Sequence, residues 1–118
     1  MKSMRTFKLF APALLIPALG CHSVPPPTPI AQLNPQQAAG HDVFRAKCAV
    51  CHYDRQSGSL HGPSLLSIFK KPELASGAAA TDERVSATVL HGRNNMPAMA
   101  NQLAPGDLDD LLAYLHTL

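Results

Sequence analysis

Cys48, Ala49, Val50, Cys51 and His52 set two thiols three positions apart, with an imidazole directly after the second. On a helical turn, thiols at that spacing face the same way and can each form a thioether with one vinyl group of a single porphyrin edge. Cys-x-x-Cys-His is the spacing at which chains attach c-type haem, and the His then passes under the ring as a fifth iron ligand. Other chemistries use parts of this pattern. A thioredoxin-type dithiol would need a strand-helix-strand context, which does not precede it. Zinc would need two further ligands; His41 and His61 are available, but there is no second Cys pair. A structural disulfide across two intervening residues would be strained.

Several elements must place these groups. Asn34, Pro35 and Gln37 read as an N-cap, a proline at the first helical position and a capping-box partner, opening a helix that runs to about Lys47 and into the Cys pair. Gly40, Phe44 and Cys48 fall on one face of it, with Gly40 admitting another helix at close range. A short turn of helix is expected before Pro72. Thr81, Asp82 and Glu83 begin a second helix with Val85 and Val89 one turn apart and Gly92 as its stop, and this helix leads to Met96-Pro97. A third helix over residues 105–117 carries Leu108, Leu111, Leu112 and Leu115 as an apolar stripe, with Pro105 at its first position.

Gly40, Phe44, Cys48, Cys51 and His52 together resemble the opening helix and haem motif of class I cytochromes c, and the bacterial monohaem type in particular. The resemblance runs over residues 35–118. It implies an all-α fold with three main helices around one covalently bound haem c. Within His61-Gly62-Pro63-Ser64-Leu65, similar to that family's Gly-Pro-x-Leu loop, it implies that the Pro63 carbonyl accepts a hydrogen bond from the axial His52. It makes Met96, before Pro97, the sixth iron ligand, with Met99 as competitor. It also implies that the third helix crosses the first at Gly40, with Leu111 and Tyr114 at the contact. Arg93, Asn94 and Tyr53 are candidates for the haem propionates. A bis-His site through His61 or His91 would lie away from the expected distal segment.

The third cysteine belongs to a different part of the chain. Lys2, Arg5 and Lys8 precede a 12-residue apolar run, residues 9–20, too short to span a bilayer. Ala18-Leu19-Gly20-Cys21 resembles a bacterial lipoprotein signal, which makes residues 1–20 a signal peptide and Cys21 a lipidated first residue. Residues 21–34 then read as lipidated Cys and a proline-rich tether, whose thirteen residues from His22 could reach about 40 Å. Export agrees with haem attachment, since thiol maturation of this kind belongs outside the cytoplasm.

The full chain of 118 residues has ten Lys and Arg against eight Asp and Glu. Residues 1–20 hold three of the basic residues and no acid, so the remainder is near neutral, seven against eight. That balance points away from nucleic acid. The expected function is electron transfer by a periplasmic, membrane-anchored monohaem protein that makes and breaks no bonds. Its partners would be redox proteins such as a respiratory complex, terminal oxidase or periplasmic dehydrogenase. Two alternatives stand beside it: a haem subunit of a larger dehydrogenase or oxidase complex, and a ligand-binding or peroxidase-like haem protein with an open sixth site.

Overall fold

The computed structural model describes residues 24–118. Residues 1–20, expected to be a signal peptide, and Cys21 lie outside the described residues. Three α-helices appear in order: α1, Pro35–Lys47; α2, Asp82–His91; and α3, Asp107–Leu115. A single turn of 3-10 helix at Ile30–Gln32 precedes α1, further ones at Ile68–Lys70 and Ala100–Gln102 lie between the helices, and among the described residues pairing between extended segments is limited to isolated bridges.

The first two helices start where a side chain answers a free backbone amide. The Asn34 carboxamide oxygen accepts from the Gln37 amide at 2.9 Å, and the Gln37 side chain accepts from the Asn34 amide at 3.0 Å. Together they form the reciprocal box that opens α1. Thr81 accepts from the Arg84 amide at 3.3 Å to open α2, and Asp82 and Glu83 sit at its positive end. At the far end the Gly92 amide donates to Thr88, and Gly92 leaves the helix with φ of 73°. The third start differs from expectation. Gly106, at φ 91°, is the N-cap of α3, and Pro105 lies outside the helix. The Asp107 carboxylate turns back to accept from the Ala104 amide at 2.8 Å, closing a turn where a first helical position was expected.

The helix α1 packs mainly on α3. The contact centres on Gly40: a Cβ there would sit 2.5 Å from the Asp110 carbonyl carbon and 2.8 Å from the Tyr114 Cβ. Asp110 and Tyr114 are four apart and share one face of α3. Leu111, expected at this contact, is instead buried in the core and faces the cleft described below. Phe44, Val85, Val89, Met99, Leu111, Tyr114, Leu115 and Leu118 make up one core cluster. So small an apolar set gives marginal stability alone, and the cleft beside it leaves room for a large apolar group.

The proline-rich segment is bonded to the body of the domain well before Asn34. Thr28 donates its amide to the Thr117 carbonyl at 2.8 Å, and Lys70 Nζ donates to the Pro25 carbonyl at 3.3 Å. Its free reach is therefore shorter than thirteen residues allow, because extended backbone leaves carbonyls open to donors from the domain.

Candidate haem site

The residues of the Cys-x-x-Cys-His stretch close α1. The amides of Cys51 and His52 both donate to the Cys48 carbonyl at 3.0 Å, forming a tight turn that keeps both thiols and the imidazole together. Cys48 and Cys51 are free thiols. Burial, reinforced by the nearby Cys51, pushes the Cys48 thiol up to about 11, so it stays protonated at neutral pH.

The following loop folds back onto this turn. Gly62 donates to the Cys51 carbonyl at 2.8 Å, and Leu65 donates to the Tyr53 carbonyl at 2.8 Å. These two bonds bring the Pro63 carbonyl to 2.7 Å from His52 Nδ1. The Nδ1–H donates to Pro63, which fixes the tautomer and leaves Nε2 with its lone pair free to bind a metal. Gly62 lies against the same ring: a Cβ there would come within 2.8 Å of Nδ1 and 3.0 Å of Nε2.

Met96 is delivered by a second tight turn. Arg93 and Met96 exchange backbone hydrogen bonds at 2.9 and 3.1 Å, with Asn94 in the left-handed region at φ 50°. Gly92 packs beneath them, its missing Cβ making room for the Met96 carbonyl 2.5 Å from where that atom would be. Met99 takes a different place. Its amide donates to the Val89 carbonyl at 2.9 Å and its side chain is buried in the core.

Cys48, Cys51, His52, Pro63 and Met96 all line one cleft of about 880 Å³. Val85 and Val89 of α2 and Leu111 and Leu115 of α3 contribute apolar wall. Arg93 and Asn94 also line it, whereas Tyr53 does not. His61 reaches the cleft and His91 does not. Among the described residues no three His, Cys, Asp or Glu side chains gather as a metal site, so His41 and His61 do not complete a zinc set with the two thiols. The residues fit a haem: paired thiols, an oriented imidazole, a thioether and an apolar wall face one volume, within the usual range for cofactor pockets.

The sequence alone did not reveal the polar cluster behind the site. Tyr114, fully buried, donates its hydroxyl to Asp54 at 2.6 Å and accepts from Arg55 Nε at 3.3 Å. Burial, followed by the bond to Asp54, pushes its phenol up to about 12. Arg55 also donates through Nη2 to the Thr28 carbonyl at 2.5 Å. Residues about sixty positions apart leave no local pattern to read. The one available signal was an acid and a base directly after the haem motif.

The family described as Cytochrome C oxidase, cbb3-type, subunit III matches residues 35–115. The chain is similar to cytochrome c6 of Picosynechococcus sp., 32% identical over 81 residues that span 66% of this chain and 69% of that protein. It is also similar to cytochrome c6 of Leptolyngbya boryana, 33% identical over 78 residues that span 66% of this chain and 87% of that protein. The solved structure of cytochrome c6 from the diatom Phaeodactylum tricornutum superposes with a TM-score of 0.54 at 25% identity, covering 67% of this chain and 88% of that one. The thiols, imidazole and cleft thus have their counterpart in a known group of proteins: the chain belongs to the class I c-type cytochromes, electron carriers built on one covalently attached haem c.

Proposed function

We propose that this chain is a bacterial, lipid-anchored periplasmic electron carrier in which His52 and Met96 would be the two protein ligands of the haem iron. The observation that carries the reading is the convergence of Cys48, Cys51, His52, Pro63 and Met96 on one cleft, with Met99 held in the core. When bound, the haem supplies a one-electron ferric/ferrous couple. Cys48 and Cys51 would hold it covalently. His52 would ligate through Nε2 while Pro63 accepts from Nδ1 and strengthens its donation. Met96 would provide a neutral thioether, which favours the ferrous state more than a second imidazole does. The apolar wall excludes water, and the two glycine-supported turns hold both ligands in place through the redox change.

The lipid anchor rests on Cys21 and the apolar run before it. No helix among the described residues is long and apolar enough to cross a membrane, so retention at the bilayer would come from acyl chains on Cys21, each adding about 0.8 kcal/mol per buried methylene. Exposed Val50, between the two thiols, marks the surface where a redox partner would approach. A second reading, a fixed haem subunit of an oxidase complex, draws on the description of the matching family. Copurification with a large membrane complex would favour that reading over a free carrier.

Optical spectra of the haem-loaded chain and of Met96→Ala test the site. The ferric wild type should show the weak methionine-to-iron band near the red edge and its ferrous form should ignore carbon monoxide. Met96→Ala should lose the band and take up carbon monoxide. Ready carbon monoxide binding by the wild type would mean an open sixth site and would sink the carrier reading. Membrane fractionation of Cys21→Ser should move the protein to the soluble fraction.

A further inference from the structure

The segment before α1 lies outside the family match, yet it closes on the loop that follows the haem motif. Thr28 is held on both sides of its backbone: its amide donates to Thr117 beyond α3, and its carbonyl accepts from Arg55 Nη2. Arg55 also donates through Nε to the Tyr114 hydroxyl, and that hydroxyl donates in turn to Asp54. Asp54 also accepts from the Arg55 amide at 2.8 Å. A few residues earlier, Val24 stands on one wall of a small groove whose other lining includes Pro63 and Ser64 of that loop.

We propose that residues 24–28 act as a latch on the loop spanning residues 53–65, with Arg55 as the positioning residue that joins docking of the latch to placement of His52 and Pro63. Arg55 suits the task because one planar fork reaches two acceptors on different chain segments, which a lysine ammonium on a single stem does not reproduce. Thr28 suits it because the polyproline backbone on either side leaves its amide and carbonyl unused by regular structure. Releasing the latch removes one of the loop's few ties to the body, and the loop carries the group that orients the imidazole. The inference rests on the reading of His52 as an axial ligand.

The test uses the full haem-loaded chain with Arg55→Gln, Arg55→Lys, Thr28→Pro and the Arg55→Gln/Thr28→Pro double variant. Thr28→Pro removes the amide that bonds Thr117 while keeping the carbonyl that accepts from Arg55, in a segment already rich in proline, so it keeps the test alive should Arg55→Gln fold poorly. The readouts are hydrogen exchange at the Gly62 amide, which donates to Cys51 of the haem turn, and at the Leu65 amide, which closes the loop on Tyr53, and the reduction potential. Arg55→Gln should speed exchange at both amides roughly tenfold, the scale of one lost charged hydrogen bond, and shift the potential. Thr28→Pro should act on the same two amides in the same direction, Arg55→Lys should fall between wild type and Arg55→Gln, and the double variant should do little more than Arg55→Gln alone. Faster exchange confined to residues beside Thr28 and Thr117, with Gly62, Leu65 and the potential unchanged in Thr28→Pro, would overturn the proposal. A His52→Ala chain that takes up haem and keeps the wild-type spectrum and potential would instead refute the ligand reading, and the amide exchange would still report on the latch.

Discussion

Gly62 packs against the imidazole of His52 so closely that a single added methyl group would come within 2.8 Å of Nδ1, the same nitrogen that donates to Pro63. The ring is therefore clamped from two directions by consecutive residues of one loop. Gly62→Ala should push the ring off its Pro63 acceptor. Expected outcomes are a lower yield of covalently loaded protein and, in what is loaded, a stability loss of about 2 kcal/mol by denaturant titration.

Gly40→Ala tests the crossing of α1 and α3. Alanine returns about 1 kcal/mol of helix propensity, but its methyl group meets the Asp110 carbonyl, which is backbone and cannot step aside. Overpacking of this kind costs about 3 kcal/mol, so a net loss of about 2 kcal/mol is expected. A stabilised Gly40→Ala protein would show that the two helices do not approach this closely.

The two methionines should separate cleanly. Met99→Ala empties a buried core position and should cost about 3 kcal/mol while keeping the optical signature of methionine ligation. Met96→Ala should do the reverse, abolishing the signature with a smaller loss from packing, since its side chain is only partly buried.

Tyr114 makes stability depend on alkaline pH. Its phenol is held at about 12 in the folded chain against 10.0 as the ordinary value, so the folded state keeps the proton more tightly. The contribution is fully present below pH 10 and is lost as pH rises from about 10 to 12. Tyr114→Phe should lower stability by about 1–2 kcal/mol at neutral pH, because Asp54 loses the hydroxyl donor and keeps only the Arg55 amide, and should flatten the alkaline decline. Thermal unfolding of both proteins across pH 8 to 12 checks this.

Where a structural cause lies within a few residues, the amino-acid order shows it. Asn34 with Gln37, Thr81 with its acids, Gly92, and the five residues from Cys48 to His52 each complete their own local geometry. The start of α3 was legible only in part, because Pro105 offers a helical first position while the Asp107 carboxylate captures the Ala104 amide one turn earlier. Tyr114 reads as one more member of an apolar face, and its pairing with Asp54 and Arg55 exists only once α3 lies across α1. The proline-rich segment misleads for the same reason that it docks. Polyproline backbone satisfies none of its own carbonyls, so it looks like a solvated tether until Arg55 and Lys70 supply donors. Met96 is marked in the amino-acid order by Pro97 directly after it, whereas the core position of Met99 depends on its amide reaching back to the Val89 carbonyl of α2.

On a chain lipidated at Cys21, docking of Thr28 would also set the geometry of encounter with a partner. Only residues 22–27 separate Thr28 from Cys21, a span that even fully stretched backbone holds to about 25 Å. On a lipidated chain the domain would thus search a shallow layer above the bilayer, and collisions with a membrane-bound redox partner become two-dimensional. Its working concentration there follows from leash length, so inserting flexible residues before Thr28 would dilute it as surely as lowering expression.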